Sequence, residues 1–248
     1  MIFLRRPGVI HLDCFTDRAD VFTFSKVNHS KNFIPEWWKK LPKVDPITDH
    51  PYGTMKSCQG FIDLFRKGLI IPLWSDISIL LGEIGSDEIF WQYADQTSSA
   101  GPHPTSQRGY EYLPGQNYQH LKLDSPWIFK TKVDLDWVVH GVTWCNYHPT
   151  TVIIPEGILN FKWQVGTNIN MFLQRKPEKQ KILIEANQPL LQLIPMSEKE
   201  IVIHHHLISS DEMSLIGKKH KLSKFRNTYN VSKNIRLENE SKCPFGFK

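Results

Sequence analysis

A chain of 248 residues with 40% hydrophobic content, eight Trp and fourteen Phe can bury a sizeable core, which excludes an intrinsically disordered polypeptide and leaves room for one large β domain or two small domains. The formal charge of +5 is unevenly placed: residues 209–248 hold nine Lys or Arg against four Asp or Glu. Four scattered cysteines form no CxxC pair and no dense disulfide framework, so they read as reduced thiols.

The first apolar stretch is interrupted by Arg5, Arg6 and Pro7, too early for the core of a secretion signal. No later run reaches the roughly 18–20 apolar residues of a membrane span. The expectation is an intracellular protein, or one carried in a particle, that makes no membrane contact.

Taken in chain order, residues 1–50 read as irregular, with Phe22-Thr23-Phe24 as an alternating strand fragment. In Pro35-Glu36-Trp37-Trp38-Lys39-Lys40-Leu41-Pro42 one proline can open a helical turn and the other stops it. Adjacent Trp37 and Trp38 cannot easily face the same way, so one of them is expected at the surface as a partner contact. Phe61, Ile62, Leu64 and Phe65 recur at helical spacing and Gly68 is a natural stop, which predicts a short helix over 59–67. Strands are expected at 69–74, 76–80 and 89–93, followed by a Ser, Gly, Pro and Thr-rich surface loop over 97–109.

Residues 118–192 carry candidate strands at 120–123, 127–130, 137–140, 151–154, 158–165, 169–174, 181–185 and 190–194. Short strands at intervals of about ten residues are the pattern of a sandwich or barrel. A further strand over 200–208 bears His204-His205-His206. Residues 210–225 read as a helix capped by Ser209 or Ser210, with Asp211 and Glu212 in its first turn. The predicted fold is mainly β: an antiparallel β-sandwich or jelly-roll-like barrel over 1–208, with short helices in an aromatic N-terminal region over 1–68 and a basic arm over 209–248.

Chemistry-bearing patterns are few. No Gly-x-Ser-x-Gly elbow, phosphate loop or dinucleotide fingerprint is present. Alternate residues of a strand share a face, so His204 and His206 form a His-x-His pair. Joined by a histidine from another strand (His140, with His120 and His148 as alternatives), they would make a cupin-like site for a divalent metal. His11-Leu12-Asp13 has the His-x-Asp spacing of an iron triad, but it lies before the strands expected to cradle a site. Each pair alone reads as surface or hydrogen-bonded histidine, since a metal centre needs three convergent ligands.

Cys145, bracketed by His140 and His148, reads as a packed thiol rather than a nucleophile, because neighbouring strand residues face opposite ways. The Ile154-Pro155-Glu156-Gly157 turn has an outline seen in β-clip nucleotide hydrolases. Asn160 and Phe161 stand where that family's carboxylate and tyrosine would be, leaving no carboxylate base, so the outline reads as two β-hairpins rather than a nucleotide site.

Three stretches, Trp38-Lys39-Lys40-Leu41-Pro42, residues 60–76 with their Leu-Ile-Ile-Pro-Leu-Trp-Ser-Asp run, and residues 125–195 with an Ile-Pro turn and a closing Gln-x-Ile-Pro strand, resemble an uncharacterised family of β-rich proteins from T4-like tailed phages and some bacteria. The resemblance implies a β-rich fold and a setting in a host-cell cytoplasm or a virion, and it brings no catalytic residues. The leading expectation is therefore a non-enzymatic binding or assembly domain, a phage structural or accessory protein. Its partners would be other protein subunits, in a homo-oligomer or larger assembly, and it needs no cofactor. Trp37, Trp38, Lys218, Lys219 and Lys221 are the expected contact residues. A metal-dependent cupin-like enzyme is the second reading, and nucleic-acid binding through the basic arm the third.

Overall fold

The computed structural model describes residues 8–45, 47, 53–103, 117–144, 152–221 and 233–234, without the side chains of 217–221. Along the chain the strands are β1 (Val9–Thr16), β2 (Asn28–His29), β3 (Leu69–Pro72), β4 (Ile77–Leu81), β5 (Ile89–Tyr93), β6 (Ser99–Pro102) and β7 (Tyr118–Lys130). They continue as β8 (Asp136–Gly141), β9 (Val152–Ile153), β10 (Gly157–Asn160), β11 (Gly166–Gln174), β12 (Gln180–Ile184), β13 (Pro189–Pro195) and β14 (Glu200–Leu207). The helices are α1 (Ala19–Phe24), α2 (Glu36–Lys40), α3 (Gln59–Arg66) and α4 (Ser210–Lys221).

These strands form three sheets. The largest runs β14-β1-β7-β11-β9 with β6 also on β7, the second β10-β8-β13-β3-β2 and the third β12-β4-β5. One hydrophobic cluster joins them, with Leu12, Phe129 and Met171 from the first sheet, Ile71, Trp137 and Leu193 from the second and Ile79 and Ile182 from the third. Each such fully buried side chain contributes about 1.5–3 kcal/mol over its exposed state.

The mainly β expectation holds, while the barrel does not. None of the sheets closes, because the largest ends at β14 on one side and β9 on the other. The pairing is not purely antiparallel either: β1 and β14 run parallel, in register from Val9 opposite Glu200 to Thr16 opposite Leu207.

Several local expectations change. Residues 22–24 lie in α1, where Val21 is buried and the Thr23 hydroxyl donates back to the Ala19 carbonyl. Residues 99–102, expected as loop, form β6, which pairs with β7 from Ser99 opposite Asp124 to Pro102 opposite Leu121. The two strands expected at 120–123 and 127–130 are one. Pro126, which has no N–H to give, falls where the β7–β11 register slips between Gly166 and Asn168. The strand expected over 158–165 stops at Asn160, whose carbonyl accepts from the Trp163 and Gln164 amides to close a turn.

Two ends follow the sequence closely. α3 stops before Gly68, whose φ of 78° is left-handed and where an added Cβ would lie 2.2 Å from the Leu193 carbonyl oxygen. α4 opens on a capping box, with Ser209 Oγ accepting from the Glu212 amide while the Glu212 carboxylate accepts from Ser209.

Candidate functional site

The alternation of β1 buries Ile10, Leu12, Cys14 and Thr16 and turns His11, Asp13 and Phe15 outward. On β14 the parallel register sets Asp13 opposite His204 and Phe15 opposite His206, so His11, Asp13, His204 and His206 share one face. His11 Nδ1 lies 2.9 Å from His204 Nε2, with the rings stacked at 5.2 Å. His206 Nε2 donates to Asp13 Oδ1 at 2.8 Å and its ring stacks on Phe15 at 4.7 Å. All four side chains line an open cleft of about 340 Å³ whose other wall is Thr131, Lys132 and Val133, just past the end of β7. Lys130, the partner of Asp13 across β7, adds a second cation beside the carboxylate.

His205, between the two outward histidines, points the other way. Its Nε2–H donates to the Val27 carbonyl at 2.8 Å and its ring meets Trp127 edge-on. Burial lowers its pKa below the ordinary histidine value, and the Val27 bond only partly opposes that shift.

The structure thus joins His204 and His206 to a pair that sequence reasoning set aside. β1 is a full strand between β14 and β7, so nearness to the N-terminus is no obstacle. His140 lies elsewhere, on β8 in the second sheet, with Nδ1 2.9 Å from the Gly141 carbonyl. His120 is buried on β7, bonded to Asn170 and stacked between His103 and Phe172. His148 and Cys145 lie outside the described residues. Among the described residues no group of three or more His, Cys, Asp or Glu is already arranged to hold a metal ion. Of the cysteines, Cys14 is a buried free thiol and Cys58 an exposed one.

A second feature is built on α2 and α3. Trp38 is buried against Phe65, with ring centroids at 4.6 Å, and against Phe61 at 5.8 Å. Trp37 is 39% exposed, lies edge-on to Trp38, and its indole N–H donates to the Trp144 carbonyl at 3.1 Å. Trp144 in turn packs edge-on to Phe65 at 4.9 Å. The expected division between one buried and one surface tryptophan is therefore present. Phe61 stays 37% exposed and Met55 45%. Beside them a depression of about 230 Å³ has Trp38 and Phe65 on its floor and Lys43, Lys56 and Arg66 on its lining. The apolar spacing of the chain predicts this helix, but nothing in it shows that cations from three segments gather here.

Lys218, Lys219 and Lys221 fall on α4, and their side chains lie outside the described residues. No helix is long and apolar enough to cross a membrane among the described residues. No known protein-family model matches this chain, and no curated protein shows significant similarity to it.

Proposed function

We propose that this protein is a non-enzymatic binding domain that docks an acidic segment of a protein partner on the face formed by α2 and α3. The observation that carries this reading is the company kept by the exposed aromatics. Trp37 and Phe61 both pack against Trp38, which shares its depression with Lys43 and Arg66, neither of which pairs with a carboxylate among the described residues, and with Lys56, whose ammonium donates to the Lys39 carbonyl. Tryptophan and arginine together are the usual anchors of protein interfaces, because large rigid rings bury area at small entropic cost. Unpaired cations around them favour an acidic partner and speed its encounter.

In this reading the three sheets are sandwich-like, jelly-roll-related layers that serve as scaffold, supported by the one core they share. The resemblance to tailed-phage proteins supports placing the partner among the other subunits of a virion or in the cytoplasm of an infected cell.

The test uses immobilised peptides graded in acidic and aromatic content. Retention of the purified chain is expected to rise with both and to fall with salt. The double variant Lys43→Glu and Arg66→Glu is expected to lose at least tenfold in affinity, whereas Lys179→Glu, at the distant Glu88 pair, leaves it unchanged. Equal retention by all peptides, a preference for single-stranded nucleic acid, or turnover of a small molecule overturns the proposal.

A further inference from the structure

We infer that the outward face of the β1–β14 pair is a binding site for a borderline divalent metal of the Zn²⁺ class, with Asp13, His204 and His206 as ligands and His11 as a fourth. This inference is independent of the docking face on α2 and α3.

The backbone supplies the first argument. Positions two apart on a strand are separated by roughly 6.5–7 Å, and neighbouring strands by about 4.8 Å. Asp13 is directly opposite His204 and one step diagonal from His206. Those three side chains therefore stand at the corners of a small triangle on one face. Imidazole and carboxylate groups are long enough to incline toward a common point above it.

The observed separations supply the second. With metal–ligand bonds of about 2.0–2.1 Å, adjacent ligand atoms lie about 2.9 Å apart at a right angle and about 3.3 Å apart at the tetrahedral angle. The His11–His204 and Asp13–His206 separations are 2.9 and 2.8 Å, hydrogen-bond lengths that already hold two donor atoms of each pair within the span of one coordination shell. The donors now satisfy one another in two pairs. Uptake of an ion requires His204 Nε2 to exchange its contact with His11 for a position shared with Asp13 and His206. Both side chains of the Asp13–His206 pair are about 40% exposed, so an ion can reach them from solvent.

The donor set also selects the metal. One carboxylate beside Lys130 and Lys132 lacks the several oxygen ligands that Ca²⁺ requires and the carboxylate charge that Mg²⁺ favours. Neutral imidazole nitrogens are the ligands of Zn²⁺, Ni²⁺ and Cu²⁺. Phe15, stacked on His206, fixes that ring and shields one side of the site. The two lysines favour an anion in any coordination position the protein leaves open.

The test is performed on the full chain without a histidine tag. Isothermal titration with Zn²⁺ is expected to give one ion per chain at micromolar affinity or tighter. His204→Ala and Asp13→Ala are expected to weaken it at least a hundredfold, and His140→Ala to leave it unchanged. Circular dichroism checks that each variant is folded. Long-range ¹H–¹⁵N spectra of the histidine rings in the unaltered protein give a reading that needs no variant: the rings of His204 and His206 shift on adding one equivalent of Zn²⁺, and that of His140 does not. Absence of uptake, uptake unaffected by these substitutions, or shifts confined to other histidines overturns the inference.

Discussion

His206 Nε2 donates to the carboxylate of Asp13, a residue 193 positions earlier in the chain, at 2.8 Å. This contact exists because β14, a strand formed late in the sequence, adds in parallel to β1, the first strand described. Residues on the opposite face of the same strand do different work. His205 turns inward to the Val27 carbonyl while His204 and His206 turn outward to the cleft, so one triplet both anchors β14 and presents its polar face.

That anchoring should be sensitive to pH. His205 has a depressed folded-state pKa, chiefly from burial, and His29 is shifted the same way by burial and by Lys31. A folded value below the unfolded value of about 6.5 means that the unfolded chain takes up protons first. The stability these histidines contribute is complete above that pH and is lost as pH falls through their folded values. Urea denaturation midpoints are expected to drop between about pH 7.5 and about pH 5.5. His205→Gln should flatten the drop, leaving the share due to His29; an unchanged slope in that variant would remove His205 as its source.

Gln192, fully buried on β13, caps α3 from another element. Its amide donates to the Leu64 carbonyl at 2.7 Å and the Lys67 carbonyl at 3.0 Å and lies 3.1 Å from Ser30 Oγ. The last carbonyls of a helix have no partner within it. Gln192→Leu keeps the bulk and strands those acceptors, so a loss of about 1–3 kcal/mol is expected in chemical denaturation. Because α3 carries Phe61, Phe65 and Arg66, peptide retention on the α2–α3 face should weaken in the same variant.

Asp95 ties the start of α1 to the segment after β5. Its carboxylate accepts from the Thr97 amide at 2.7 Å and from the Ser98 amide and hydroxyl at 2.6 Å each, and it lies 3.4 Å from Arg18 Nη2. Burial raises its pKa, but hydrogen bonds from Ser75, Ser98 and Thr97 outweigh burial and hold it well below the usual carboxylate range. With the folded value depressed, its contribution is present above the unfolded pKa of about 3.9 and is lost on acidification below it. Asp95→Asn is expected to cost about 1–3 kcal/mol near neutral pH and to flatten the acid limb of a stability–pH curve. A variant with the acid limb of the unaltered protein would contradict this account.

Local physics made much of the molecule legible from its residues. Helical spacing followed by Gly68 marked α3, a serine cap with Asp211 and Glu212 behind it marked the start of α4, and alternation located most strands of the region 118–208. Two of the misreadings occurred where pairing overrides local preference. Ser99-Ala100-Gly101-Pro102 has the composition of a loop and is a strand because β7 offers it an edge. Residues 120–123 and 127–130 read as two strands and form one, in which a register slip accommodates Pro126.

The amino-acid order by itself determined which side chains alternate: His11 with Asp13 on one strand, and His204 with His206 on another. Only the tertiary structure decided that these two strands are neighbours, run parallel and are aligned with Asp13 opposite His204. The physical reason lies in the backbone, whose N–H and C=O groups are the same at every residue and so allow a strand many partners and registers. The choice among them is made by burial of Ile10, Leu12 and Ile201 in a core shared with distant strands, a long-range condition that no short segment carries.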